Sequence, residues 1–479
     1  MKKIPTLSAT SWVTAKTVFS QGFAILLFAI QAPVLGPRAF GLISVVMVFV
    51  GFCEIVLGEA VSEALISIRD IDVAHFDTMN TINVFVSGLC GVVVFAGATA
   101  AARFYGDGEL APILRCLAIL PVISALAVAP TAATKRDMQF QPLALRSMAS
   151  LFLGGVIGLV LTLTGYGVWA LVWQALVTRV TATVVLWMAV PLRLRFGFSR
   201  PCLFDLGKFI LPTLLSRTMS WGSNQFPRLI FGHYWGVTEL GLFGLAARLC
   251  DIVTDVALVP RYSVARIELR QFAGDASALR EATHRLFIDL TAVAFPLAVG
   301  GAAIIPTLFH VWLDARWYGA IVPSELMMLT GVPFVTLYAA GAVLLASNCQ
   351  PAEALMSVVQ TIITVIAVLV FAPLGLLPAT AAFAARPIAL LPLAAKLVRD
   401  RCGVPAVLMF AAQRPAFLAA GVMGVAVTAL RLCAEPYLRG VFLLPLLVAF
   451  GAAVYGAMMW LLIPDFVRQL MARLGVRAA

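Results

Sequence analysis

Along most of the chain, apolar residues run in blocks some twenty long, separated by short polar or Gly/Pro-rich stretches. About 20 apolar residues in a helix cross the ~30 Å hydrocarbon core of a bilayer. On that measure the pattern predicts about 14 transmembrane helices, near residues 12–34, 41–67, 79–102, 110–134, 143–164, 168–190, 207–231, 240–262, 286–308, 324–346, 353–372, 376–398, 416–434 and 440–463. Breakers fall between them at Gly36-Pro37, Gly165-Tyr166-Gly167 and Pro373-Leu374-Gly375. No connection is long enough for a soluble domain. The longest, near 263–285, is expected to hold a short polar helix that starts at Asp275-Ala276-Ser277 and carries Arg280, Glu281 and Arg285. The tail from Phe466 to Leu474 reads as a basic amphipathic stretch lying on the inner membrane surface.

Composition agrees with the pattern. The chain has 479 residues, 62% hydrophobic and 12% charged, with mean hydropathy +0.99; soluble proteins carry about 25% charged residues. The net charge of +11 would suggest nucleic acid in a soluble protein. Here most Lys and Arg lie in the loops on the N-terminal side, Lys135, Arg136, Arg193, Arg195, Arg266, Arg270, Arg399 and Arg401 among them. The positive-inside rule then places both termini in the cytoplasm and removes nucleic acid as a partner. The first apolar run is expected to be an uncleaved helix and not a signal peptide. Phe104, Tyr105, Trp312, Trp317, Tyr318 and Tyr437 gather on the opposite side, where an aromatic belt is expected. The eight cysteines form no CxxC pair and are expected to pack.

A faint repeat crosses the chain. Gly36, Gly41 and Leu42 recur as Gly236, Gly241 and Leu242, and the turn before the sixth helix of each block holds Gly167 or Gly375. Two blocks of six helices in the same orientation fit a parallel repeat about an axis along the membrane normal. The expected architecture is therefore an all-α polytopic membrane protein: an N-terminal six-helix lobe at 1–200, a second at 201–400, and two further helices with the basic tail at 401–479.

The polar residues inside these spans carry the candidate chemistry. Lys16, Arg115, Arg179, Arg217, Arg228, Arg248 and Arg386 lie inside apolar segments. An arginine at the bilayer centre costs about 2.5–3.5 kcal/mol on insertion scales, so it tends to face a bundle interior or a wet cavity. In the seventh span Arg217, Trp221, Asn224 and Arg228 stand at offsets of 0, 4, 7 and 11. At 100° per residue they fall within about 60° of one another, a polar stripe along one face. Pro212 and Pro227 near its ends would kink it and free carbonyls for a cavity. In the eighth span Arg248, Asp251 and Asp255 share a face, and Arg248 is spaced to pair with Asp251. In the second, Glu59 and Glu63 share a face while Glu54 points away, so at least one of the three is expected to have a local partner. Arg115, Arg179, Arg386 and Asp289 stand alone in their spans and read as packed or snorkelling groups. Gly154 and Gly158 form a GxxxG for close helix contact.

No P-loop, HExxH, GxSxG or Cys/His metal spacing occurs, so neither cofactor nor metal is expected. Asp70-Ile71-Asp72 is a DxD in a short loop with no nucleotide-binding domain around it and reads as solvated acids.

Three segments carry a family resemblance. Val34-Leu35-Gly36-Pro37-Arg38-Ala39-Phe40-Gly41-Leu42, Lys135-Arg136-Asp137-Met138-Gln139-Phe140 and Gly165-Tyr166-Gly167-Val168-Trp169-Ala170-Leu171-Val172 occur in that order. They resemble the exopolysaccharide and lipopolysaccharide branch of the polysaccharide transporters, within the multidrug/oligosaccharidyl-lipid/polysaccharide flippase superfamily. The resemblance covers about residues 10–260. It implies two six-helix lobes around a cavity lined by spans one, two, seven and eight. It also implies flipping of a polyprenyl-diphosphate-linked oligosaccharide across the bacterial inner membrane, in the company of membrane lipids, a polysaccharide polymerase and glycosyltransferases. Helical geometry then nominates Lys16, Arg217, Asn224, Arg228 and Arg248 as substrate-binding residues, because arginine's fork suits phosphate oxygens. Glu59, Glu63, Asp251 and Asp255 become ion-coupling candidates. A multidrug/cation antiporter of the same superfamily, a membrane-bound enzyme and a non-transport scaffold of a biosynthetic complex are the competing readings. The absence of a large loop or catalytic motif argues against the enzyme.

Overall fold

A computed structural model describes residues 9–67, 72–137, 139–190, 197–254 and 275–464, together with 258, 261, 265, 268–272 and 468. A few side chains inside these ranges, those of Glu59, Glu63, Arg217 and Asn224 among them, lie outside the description. The described chain is helical, without strands, and forms two compact units, Met1–Gly241 and Leu242–Ala479. The first contains α1 (Ala9–Ser67), α2 (Val73–Tyr105), α3 (Leu110–Leu117), α4 (Leu120–Leu126), α5 (Val128–Arg136), α6 (Phe140–Leu163), α7 (Val168–Ala189) and most of α8 (Arg200–Val253). The second continues with α9 (Ala276–Trp312), a 3₁₀ turn at Ala315–Ala320, α10 (Ile321–Leu329), α11 (Gly331–Ala346), α12 (Gln350–Phe371), α13 (Leu376–Cys402), α14 (Ala406–Ala434) and α15 (Gly440–Leu462).

The described residues of the expected spans are helical apart from short breaks and end residues, and the chain is an all-α polytopic membrane protein. Among the described residues 11 helical segments are long and apolar enough to cross a bilayer, the kinked α1 counting once. α8 is not among them; Lys208, Arg217, Arg228, Glu239, Arg248 and Asp251 run along it. The short polar helix expected near 276–285 proves to be the first turns of α9. Asp275 caps it, accepting from the amides of Ser277 at 2.8 Å and Ala278 at 3.2 Å. With no break before the apolar run, the polar turns and the span form one helix of 37 residues. Asp72 of the DxD starts α2, its amide donating to His75 Nδ1 at 3.2 Å; Asp70 lies outside the described residues, as does the amphipathic tail apart from Arg468.

The repeated glycines shape the first unit. α1 leaves helical geometry at Gly36 (φ 73°, ψ 170°) and α8 does so at Gly236 (φ 79°, ψ 174°). That region of backbone space is open essentially to glycine alone. Five residues beyond each kink the two chains cross. A Cβ on Gly41 would stand 1.6 Å from the Val237 carbonyl oxygen, and one on Gly241 would stand 2.0 Å from that of Pro37. Pro37 and Val237 occupy the same place in the repeat, so each glycine receives the carbonyl of the other segment's kink. The turns at Gly167 (φ 57°) and Gly375 (φ 105°) likewise share positive φ.

The expected fourth span is three short helices, α3 to α5, interrupted at Ala118-Ile119 and at Ala127. Breaking a helix inside a bilayer strands carbonyl groups where water cannot reach them, so neighbouring groups must satisfy them. Side chains of α2 and α7 do so: Asn83 Nδ2 donates to Ala125 O at 3.3 Å, Thr183 Oγ1 to Ile123 O at 3.1 Å and Trp187 Nε1 to Leu126 O at 2.9 Å. Gly91 leaves room for the Ala118 carbonyl, which a Cβ there would meet at 2.6 Å.

The GxxxG of α6 acts as its spacing suggests. A Cβ on Gly154 would lie 1.9 Å from Thr178 Oγ1 and one on Gly158 2.2 Å from Gln174 Oε1, so α6 lies close against α7. Gln174 in turn accepts from Gln31 Nε2 of α1 at 2.8 Å. In the second unit, α9, α11, α13 and α14 share a core that includes Phe287, Phe295, Val335, Leu344, Leu390 and Met409. Inside it Thr336 Oγ1 donates to Gln413 Oε1 at 2.8 Å, and Tyr455 OH donates to Ala292 O at 2.9 Å. The aromatic belt is thinner than expected. Tyr437 and Phe104 are exposed, whereas Trp317 is fully buried and Tyr105 is buried with its hydroxyl donating to Leu229 O at 3.2 Å. Trp317 lies in the 3₁₀ turn, and α8 lies against Tyr105 at Leu229 and Gly232.

Replacing Gly41 or Gly241 by Ala should lower the thermal midpoint of detergent-purified protein sharply, because overpacking costs about 1–3 kcal/mol and here the obstacle is backbone. Gly22→Ala, at a glycine with open space around it, should leave the midpoint unchanged. Trp187→Phe and Thr183→Val should each cost about 1–3 kcal/mol by orphaning a buried carbonyl, read as a lower midpoint without loss of membrane insertion.

Candidate functional site

Two of the substrate-binding candidates, Arg217 and Asn224, have side chains outside the described set, as do Glu59, Glu63 and Asp255 among the coupling candidates. The backbone that carries the α8 stripe is described. It is helical from Arg200 to the kink at Gly236, so Arg217, Trp221, Asn224 and Arg228 keep the register that puts them on one face. Trp221 shows where that face turns: its indole lies tilted against the Phe52 ring, centroids 5.3 Å apart, and reaches toward Gly51, both on the second half of α1. Arg228 and Arg248 are half-buried, each with partners of its own, and Asp251 is exposed.

Lys16 is half-buried on the first half of α1, and among the described residues Arg146 of α6 and Lys135 near the end of α5 add charge of its own sign. Arg146 is half-buried and donates from Nη1 to Thr131 Oγ1 at 2.7 Å; Lys135 lies one turn beyond that threonine. Arg136, beside it, donates to Leu65 O of α1 at 3.2 Å and ties α5 to α1. Arg179 of α7 is the next cation, close enough to repel Arg146. It is not isolated: it forms an ion pair with Glu54, which also accepts from Ser124 Oγ of α4 at 2.6 Å. Glu54 is thus the acid with a local partner. Among the described residues Lys16, Lys135 and Arg146 have no carboxylate partner.

Sequence reasoning passed over Arg146, which lies three residues inside its expected span and resembles a loop charge. Nothing in the linear pattern links it to Lys16, 130 residues earlier. A sequence signal did exist: arginine and Thr131 both occur where neighbours are apolar, and each needs a polar contact.

The other residues that stand alone in sequence also have contacts. Asp289 pairs with Arg261 at 2.8 Å, and Arg115 donates to Thr99 Oγ1 at 2.8 Å. Arg386 lies over the Phe383 ring, 3.7 Å from its centroid, and donates to Thr364 Oγ1 at 3.2 Å. Asp251 is near enough to attract it. In the second unit Arg386 therefore has an aromatic face, a hydroxyl and an acid, whereas in the first Arg146 donates to the Thr131 hydroxyl.

A helical bundle of this length, with charged side chains inside its spans, belongs to the class of multi-pass membrane proteins. A family model described as "Polysaccharide biosynthesis protein" matches residues 30–322, more than half of the chain, and the chain belongs to that family. It is 23% identical over 306 residues to the succinoglycan biosynthesis transport protein ExoT of Rhizobium meliloti (strain 1021), a match covering 64% of this chain and 62% of that protein. It is 23% identical over 303 residues to the teichuronic acid biosynthesis protein TuaB of Bacillus subtilis (strain 168), covering 62% of each. The matched part thus spans 62% of the length of either relative. Among solved structures, the lipid II flippase MurJ in an inward closed conformation matches with TM-score 0.77 and 12% identity, over 97% of this chain and 100% of that one. An inward-facing multidrug resistance transporter of the MATE family, in the MOP superfamily, matches with TM-score 0.56 and 15% identity, over 87% and 98%. At these identities the likeness is one of fold.

Glu54→Gln should destabilise the protein by about 1–3 kcal/mol, since it leaves a guanidinium short of its counter-charge; the value is kept below that of a fully buried pair because the Arg179 side chain is 43% exposed. The double replacement with Arg179→Gln should recover part of that loss, which a double-mutant cycle of thermal midpoints would measure.

Proposed function

We propose that the protein is a flippase for polyprenyl-diphosphate-linked oligosaccharide repeat units, carrying them from the cytoplasmic to the periplasmic leaflet for exopolysaccharide or lipopolysaccharide O-antigen assembly. The observation that carries this reading is a polysaccharide-biosynthesis family chain whose described residues are almost entirely membrane helix. A chain built this way acts on something that resides in the membrane, and in polysaccharide assembly that is the lipid-linked intermediate. The transport role in the name of the Rhizobium relative and the flippase fold of MurJ support the same conclusion. Membrane lipids, a polymerase and glycosyltransferases are the partners this reading entails, and the protein itself performs no covalent step.

The physical problem is to move a diphosphate through hydrocarbon. An isolated ionised group transferred to a low-dielectric medium costs tens of kcal/mol in the Born limit, so the route must be wet and cationic. Lys16, Arg217, Asn224, Arg228 and Arg248 supply that path in this proposal, with arginine forks on the phosphate oxygens. The two six-helix lobes, 1–200 and 201–400, alternate access while the polyprenyl tail stays in lipid. Glu59, Glu63, Asp251 and Asp255 are the candidates for coupling that motion to a proton or cation gradient.

In a strain lacking the gene, complementation with Arg217→Glu or Arg248→Glu should reduce exported polymer at least tenfold while the protein still inserts. Full export by a well-inserted Arg217→Ala/Arg248→Ala double variant would remove these residues from the site. Raised drug resistance without any effect on polymer would favour the multidrug antiporter, which shares the fold.

A further inference from the structure

We propose that the exterior surface where α2 meets α3 holds the phosphodiester of an anionic glycerophospholipid from the outer leaflet, the one away from the cytoplasm. Arg103, Arg115 and Thr99 are its donors, and Phe95 lies beneath them. The site is on the lipid-facing side of the first unit and is independent of the flippase reading.

One face of α2 stays exposed toward its end: Phe85, Leu89, Val92, Ala96, Thr99 and Arg103 recur at intervals of four and three, and all are exposed. That spacing keeps them on one side of a helix. An exposed apolar stripe of this kind marks contact with lipid and not with water. Its change to polar residues at Thr99 marks the depth where acyl chains give way to headgroups. The lengths agree. Thr99 lies about 9 Å below Tyr105 at 1.5 Å per residue, and α2, with 33 residues, exceeds the ~30 Å hydrocarbon core by about 10 Å at each end. Arg115 reaches this level from α3. It is exposed, donates from Nη2 to Thr99 Oγ1 at 2.8 Å, and its Cζ lies 5.8 Å from the Phe95 ring centroid. The hydroxyl takes one of the five guanidinium N–H donors; the remainder have no acceptor among the described residues. Arg103, one turn nearer the membrane surface on the same face, makes no hydrogen bond or ion pair among the described residues. The acids at this end are engaged, Asp107 and Glu109 pairing with Arg38 at 2.8 and 2.9 Å. Glu59 and Glu63 stand about 35 and 40 Å along the returning half of α1 from the Gly36 kink, at the other end of the unit.

Topology and snorkelling do not account for the pair. The positive-inside rule keeps cations away from this side of the membrane, yet two arginines share one surface here. A snorkelling Arg115 would reach past Thr99 toward Arg103. Phe95 is one turn deeper than Thr99, so a guanidinium near both is held down at the edge of the hydrocarbon. Each arginine lies in the last turn of its helix, where a cation suits the dipole. That role is met on any side of a helix and does not require both charges on one lipid-facing surface. A guanidinium without a counter-charge at this depth is costly, and an anion supplied by the leaflet removes the cost. Arginine forks take phosphate oxygens in pairs. Two arginines with no acid beside them suit a phosphodiester whose headgroup has no amine, as in phosphatidylglycerol, and repel the ammonium of phosphatidylethanolamine.

The test uses full-length protein in a neutral detergent, with phosphatidylglycerol, phosphatidylethanolamine and undecaprenyl phosphate as probes. Native mass spectrometry reads the affinity for the first lipid bound, and the thermal midpoint is followed alongside. Phosphatidylglycerol should bind at least tenfold more tightly than phosphatidylethanolamine and should raise the midpoint. The Arg103→Gln/Arg115→Gln variant should bind phosphatidylglycerol at least tenfold more weakly and lose the rise. Arg115→Lys should bind with intermediate affinity, since it keeps the charge and loses the fork. If the double variant folds poorly, Arg103→Gln alone is the alternative; it breaks no polar contact among the described residues and should weaken binding severalfold. A lower lipid-free midpoint with unchanged phosphatidylglycerol affinity in the double variant would show that Arg115 only clips α3 to α2 and would overturn the proposal. Unchanged affinity in Arg103→Gln would overturn it too, as would phosphatidylethanolamine binding as tightly as phosphatidylglycerol. Undecaprenyl phosphate bound more tightly than phosphatidylglycerol, and lost in the same variants, would give the surface to a polyprenyl lipid and overturn the phospholipid assignment.

Discussion

The first unit depends on a backbone contact that admits no side chain. At Gly41 and Gly241 the second half of α1 meets the kinked part of α8, and each glycine accepts the other segment's kink carbonyl at a distance no Cβ could tolerate. The kinks at Gly36 and Gly236 bring those carbonyls there, and their positive φ is itself available essentially to glycine. Hydrophobic driving force is weak between helices already surrounded by lipid, so close approach through small residues takes over as the adhesive. The same device recurs between α6 and α7 at Gly154 and Gly158. The first unit is therefore organised by where side chains are missing, and its polar groups are placed by that framework.

Within the framework the polar side chains fall into two kinds. One kind repairs the backbone: Asn83, Thr183 and Trp187 take up carbonyls that the broken α3–α5 segment leaves open. With Glu54 and Arg179 they show how completely the bundle satisfies a group when satisfaction is all that is needed. The other kind ties helices to one another, as Gln174 of α7 accepts from Gln31 of α1 and Arg136 of α5 donates to Leu65 O of α1.

The fold alone does not choose a substrate. A lipid II flippase and a multidrug transporter share it with this chain at 12% and 15% identity, so function is a matter of which side chains the helices carry. Family membership narrows the field to polysaccharide assembly. Under the proposed flippase reading, an anionic headgroup calls for cations, whereas a cationic drug would call for acids or aromatic faces. Arg386, seated on Phe383 with Asp251 near, illustrates a cation whose surroundings already answer its charge.

Much of this was legible in the linear pattern because the bilayer imposes a length scale. A run of apolar residues long enough to cross hydrocarbon has little choice but helix, and the described residues of the expected spans are helical apart from short breaks. Glycine is legible for a related reason: a position where only hydrogen fits leaves a mark, and Gly36, Gly41, Gly236 and Gly241 carried the repeat. Partnership is not legible in that way. The join between the polar helix at 276 and the apolar span after it, the inward turn of Trp317, the breaks in the fourth span and the meeting of Lys16 with Arg146 all depend on which helix lies beside which. A one-dimensional pattern records how far each residue is from water or lipid on average; only packing in three dimensions decides which charge faces which, because electrostatic and hydrogen-bond energies depend on distances that sequence separation does not encode.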